Sequence, residues 1–118
     1  METFTIYHNP RCSKSRETLK LLQSNGVEPR VVEYLKTPLL PTELLDLADM
    51  VGVDLVHLLR KKEDLYQRAD FASVEDDRHA LAKKLSDNIK VLERPIVVNE
   101  STKVARVGRP PENILEIL

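Results

Sequence analysis

The chain has 118 residues, 42% of them hydrophobic and 31% charged, which fits one soluble domain with one hydrophobic core. Eighteen basic residues against 19 acidic ones leave a net charge of −1, so nothing in the balance points to nucleic acid or to a membrane, and no apolar run approaches a bilayer span. One cysteine excludes an internal disulfide, the N-terminus lacks the basic start and apolar core of a signal peptide, and the chain reads as cytoplasmic.

In chain order, Thr3-Phe4-Thr5-Ile6-Tyr7 alternates as a strand does and ends at the turn residues His8-Asn9-Pro10. A helix opens at Ser13 or Ser15, carries Leu19 and Leu22 on one face, and stops at Asn25-Gly26. Residues 30–35 (RVVEYL) read as a second strand, broken by Thr37-Pro38. From Pro41 to about Lys90 the pattern is helical. Pro41-Thr42-Glu43 begins one helix and Gly52 interrupts it. Asp54 caps a short helix running to Arg60, and Ser73-Val74-Glu75-Asp76 fits a capping-box start for another reaching Leu85. Residues 95–98 (PIVV) then form a short buried strand with a hairpin partner over 102–106. Gly108 turns the chain, and Pro110-Pro111 opens a terminal helix over 112–118.

The order is β-α-β, a helical block, then β-β-α. A β-α-β unit implies a parallel strand pair, and the later hairpin adds antiparallel strands. The expected fold is α/β: a thioredoxin-like mixed four-stranded sheet, a single domain over 1–118, with a helical insertion over about 41–90 between its two halves.

Cys12 then lies at the C-terminal edge of the first strand, where ligand sites collect in open α/β sheets. It is also at the first turn of a helix, beside free N–H groups and the positive end of the helix dipole. An ordinary thiol has a pKa of about 8.5, and making it mostly thiolate at neutral pH takes a drop of about two units, or roughly 2.7 kcal/mol. A helix terminus supplies about 0.3–1 kcal/mol, up to ~2 in good geometry, so neighbouring charge must supply the rest. His8, Arg11, Lys14 and Arg16 are near in sequence, and His8 is best placed to face the sulfur. Three distant arginines are also candidates. Arg60 ends an apolar helical run, Arg94 precedes Pro95, and Arg109 precedes Pro110. Planar guanidinium forks suit tetrahedral oxyanions, although each of the three also fits a solvated surface charge. His57 and His79 are isolated, and the chain has no ligand cluster with metal spacing.

The run Ile6-Tyr7-His8-Asn9-Pro10-Arg11-Cys12-Ser13-Lys14-Ser15-Arg16 resembles the signature of glutaredoxin-coupled arsenate reductases of the thioredoxin-fold group. The resemblance continues through Glu28-Pro29, Tyr34 to Pro38, Leu58 to Lys61, Glu93 to Val98, Arg109-Pro110 and Leu115 to Leu118, so it spans essentially the whole chain. It implies that Cys12 is the nucleophile, that His8 and Ser15 lower or stabilise its charge, and that Arg60, Arg94 and Arg109 bind the oxyanion. It further implies a cis Arg94–Pro95 bond, no bound cofactor, and glutathione and glutaredoxin as external partners that resolve the arsenic adduct and release arsenite. Two other readings belong to the same fold. One is a glutathione-dependent thiol oxidoreductase that ignores arsenate. The other is a polymerase-binding regulator, which would ordinarily carry Cys-x-x-Cys where this chain has Cys12 and Ser15.

Overall fold

The computed structural model describes residues 2–118, which divide into two units: the segments up to Thr37 and from Arg94 to Leu118 form one, and Pro38–Glu93 the other.

The first unit holds the sheet. Strands β1 (Phe4–His8), β2 (Arg30–Glu33), β3 (Ile96–Asn99) and β4 (Val104–Val107) lie in the order β2-β1-β3-β4. β1 pairs parallel with β2 and antiparallel with β3, and β3 pairs antiparallel with β4. This is the thioredoxin-like mixed sheet. β1 is central, and all five of its residues are buried. Helix α1 (Ser13–Ser24) follows it, and a 3₁₀ segment, Pro111–Ile117, closes the chain. Phe4, Ile6, Leu22, Val97, Ile114 and Ile117 form the core between them. Alternate positions of β1 reach this core because strand side chains alternate faces, and Leu22 reaches it from α1.

Register decides what stands near Cys12. The β1–β3 ladder ends at Tyr7↔Ile96, and the β3–β4 ladder ends at Ile96↔Val107. One end of the sheet therefore carries the chain leaving β1, the chain entering β3 and the chain leaving β4. Those three stretches contain Cys12, Arg94 and Arg109.

The second unit is helical. Helix α2 (Pro41–Val51) starts with Pro41, and the Glu43 carboxylate accepts the Leu40 N–H at 2.9 Å. It ends at Gly52, whose φ of 88° is the left-handed stop that glycine tolerates. Helices α3 (Asp64–Arg68) and α4 (Arg78–Asp87) follow, and Leu44, Leu47, Leu58, Leu81 and Leu85 are buried.

Several boundaries differ from the sequence reading, each for a local reason. α4 is capped by Asp77, whose carboxylate accepts the Ala80 N–H at 3.1 Å. Ser73 does not start that helix because its hydroxyl donates to Asp70 O at 2.9 Å, and residues 71–74 form a 3₁₀ turn instead. The helix expected from Asp54 to Arg60 is a 3₁₀ turn over Leu55–Leu58. Beyond it Leu59 bridges Leu92 and the Arg60 N–H bonds Val91 O at 2.7 Å. β2 stops at Glu33, whose carbonyl accepts the N–H groups of Lys36 and Thr37 at 2.9 and 3.0 Å. β4 starts at Val104 because Asn99 Oδ1 accepts the N–H groups of Ser101 and Thr102 and so shapes the hairpin turn. The terminal segment is 3₁₀ rather than α.

Candidate active site

Cys12 is the N-cap residue of α1, with φ −92° and ψ 124°, and is half-buried. Its N–H donates to Asn9 O at 3.0 Å, and the Asn9 side chain accepts the Arg11 N–H at 3.0 Å. This is the side-chain turn that an Asn-Pro dipeptide favours. Asn9 is thus a structural support of the loop. The sequence reading placed it only in the turn, although its type carried the signal. Arg16 reaches back, and its Nη1 donates to Pro10 O at 3.0 Å.

The sulfur gathers donors. Arg109 Nη1 donates to Cys12 Sγ at 3.6 Å and to Arg94 O at 3.2 Å. Burial pushes the thiol pKa up. The Ser15 N–H, the Arg94 and Arg109 side chains and the Lys14 N–H outweigh burial, and the thiol lies below its ordinary range. Charge-assisted N–H bonds to an anion are about twice as strong as neutral ones, so the four donors together favour thiolate.

His8 and Ser15 are joined but act differently from a simple cation beside the sulfur. His8 Nδ1 lies 2.6 Å from Ser15 Oγ, and Ser15 Oγ also accepts the Asn9 N–H at 3.0 Å. Both residues are buried. Burial drives the His8 pKa down, Glu33 opposes that shift, and Arg16 adds to it, leaving the imidazole below its ordinary value and neutral at pH 7. The positive charge facing Cys12 therefore comes from Arg94 and Arg109. Ser15 meets the sulfur through its backbone N–H, while its hydroxyl ties His8 to the Cys12 loop.

Cys12, His8, Ser15, Arg94 and Arg109 all belong to the sheet-bearing unit, and Arg60 belongs to the helical one. Arg60 Nη1 donates to Glu93 at 2.8 Å, and its Nε stands 3.9 Å from Glu63. The Arg94–Pro95 bond is cis, as is Arg109–Pro110. Among the described residues no three His, Cys, Asp or Glu side chains are grouped to hold a metal ion, and no helix is long and apolar enough to cross a membrane.

A thiol at a helix N-cap that receives N–H donors from two arginine side chains is placed to carry negative charge on sulfur. The model of the ArsC family matches residues 7–117. The chain belongs to the ArsC family. It is 53% identical over 114 residues to the uncharacterized protein YfgD of Escherichia coli, covering 96% of this chain and 94% of that one. It is 42% identical to the arsenate reductase of Haemophilus influenzae, covering 96% and 97%. The solved structure of an arsenate reductase from Vibrio cholerae superposes with a TM-score of 0.93 at 42% identity, over 99% of this chain and 98% of that one. That ArsC neighbour has the same mixed-sheet fold.

Proposed function

We propose that this ArsC-family chain is a thiol-dependent arsenate reductase with Cys12 as the nucleophile. The observation that carries the reading is the approach of Arg109 Nη1 to within 3.6 Å of Cys12 Sγ at the start of α1. It is supported by relatives named arsenate reductase that match along nearly the whole chain.

Arg94 and Arg109 hold arsenate oxygens while the Cys12 thiolate attacks arsenic. A sulfur–arsenic bond forms, one arsenate oxygen leaves as water, and arsenic stays in the +5 state. Reduction needs two electrons, and two thiols joining as a disulfide supply them. The chain has one cysteine, so at least one of them must come from outside, and in this scheme both do. Glutathione adds to arsenic and displaces a second oxygen as water. A glutaredoxin thiol then attacks the glutathione sulfur. The new S–S bond leaves the As–S electron pair on arsenic, which becomes +3. Water finally displaces Cys12, releasing arsenite and restoring the thiol. The neutral His8 holds Ser15, and with it the loop that presents the sulfur.

The test is NADPH oxidation coupled through glutathione and glutaredoxin. Oxidation should depend on added arsenate and should fall to background in Cys12→Ser. The double pairing of Arg60 with Glu93 and Glu63 favours one competing reading, a glutathione-dependent oxidoreductase that does not use arsenate. Turnover of a mixed glutathione disulfide with no response to arsenate would establish that alternative and overturn the first.

A further inference from the structure

Thr18 sits in the second turn of α1 and is fully buried. A threonine in mid-helix gains little from its hydroxyl, which here bonds back to the Lys14 carbonyl at 2.8 Å. The same hydroxyl lies 3.4 Å from Gly108 O. Gly108 N–H in turn donates to Pro95 O at 2.9 Å. A Cβ on Gly108 would stand 2.6 Å from Thr18 Oγ1, 3.0 Å from Thr18 Cγ2 and 2.9 Å from Pro95 Cγ. Glycine is required here for space, unlike Gly26 and Gly52, which sit at positive φ with nothing within 4 Å of a Cβ.

The neighbours in sequence show what this contact does. Gly108 directly precedes Arg109, and Pro95 directly follows Arg94. Thr18 belongs to the helix whose N-cap is Cys12. One tight contact thus joins the element carrying the thiol to both stretches carrying the guanidiniums. We propose that Thr18 and Gly108 are positioning residues, whose contact sets how closely the Arg94 and Arg109 guanidiniums approach the Cys12 sulfur. Neither residue is among the groups that donate to the sulfur, and each acts through the arginines.

This inference rests on the reading of Cys12 as an activated nucleophile, and its test needs no arsenate. The thiolate is titrated by ultraviolet absorbance, and its reactivity is followed by alkylation with iodoacetamide. In Gly108→Ala the added methyl pushes the Arg109 segment off α1. The Cys12 pKa should rise by about one unit, a tenfold change in the thiol–thiolate ratio. Thr18→Ala placed on top of Gly108→Ala removes two of the three blocking atoms, and the third, Pro95 Cγ, can move by ring pucker. That double variant should regain at least half of the shift. If Gly108→Ala folds poorly, Thr18→Val asks the same question more gently, since it puts a methyl where Oγ1 lies against Gly108, and it should raise the pKa by a smaller amount. A folded Gly108→Ala with unchanged thiol acidity, or a double variant no better than the single, overturns the inference while leaving the nucleophile reading intact. A wild-type thiol titrating near the ordinary ~8.5 overturns both.

Discussion

At the scale of single residues, the Cys12 sulfur faces a balance between burial, which disfavours its charge, and four N–H donors, which favour it. Arg109 is the donor with a side chain 3.6 Å away. A hydrogen bond to a charged group is worth about 1.5–3 kcal/mol, so Arg109→Ala should raise KM for arsenate by roughly 10- to 100-fold. The same change should raise the thiol pKa. Steady-state kinetics and a pH titration of alkylation check the two effects separately. Arg109→Lys should recover little of the KM, because an ammonium cannot present a planar fork to two oxygens. His8 makes the opposite kind of statement. Its folded pKa is lowered, so the unfolded chain binds the proton more tightly. The stability held by the neutral imidazole is present above the unfolded value of ~6.5 and is lost as pH falls through the folded one. Urea denaturation from pH 7 downward should show stability falling below about pH 6.5, with a shallower fall in His8→Asn.

At the scale of elements, caps and stops explain most of what could be read in advance. Pro41 and Glu43 announced α2, and Asn25-Gly26 announced the end of α1, because these are contacts between residues a few positions apart. The start of α4 differs from the expected one because the cap is Asp77, four residues beyond Ser73. Ser73 gives its hydroxyl to Asp70 O, and Asp70 takes a left-handed φ of 56° that its residue type does not announce. Asp77→Ala should therefore cost about 1 kcal/mol by thermal or urea unfolding, and Ser73→Ala clearly less. β2 ends two residues short of the expected 30–35 because the Glu33 carbonyl turns the chain back through Lys36 and Thr37.

At the scale of the whole molecule, the sheet-bearing unit is held by a core in which Leu22 of α1 meets Phe4, Ile6, Val97, Ile114 and Ile117. Leu22 is fully buried, so Leu22→Ala should cost about 2–5 kcal/mol, the sum of lost transfer energy and a cavity. A urea midpoint shift at constant m-value checks it, and because α1 carries Cys12 at its N-cap, thiol reactivity should be monitored alongside. The sequence alone determined the order of elements and the address of the thiol at the start of α1, since strand alternation, helix caps and turn residues act over a few positions. Its local pattern could nominate Arg94 and Arg109 only as arginines beside prolines, and their grouping with Cys12 entered through the family resemblance. What brought them to the sulfur was the strand register, Tyr7↔Ile96 and Ile96↔Val107, which sets residues 97 positions apart side by side. Only the tertiary structure could decide that, because register depends on which buried faces pack together, and packing of distant segments leaves no mark in the residues next to Cys12.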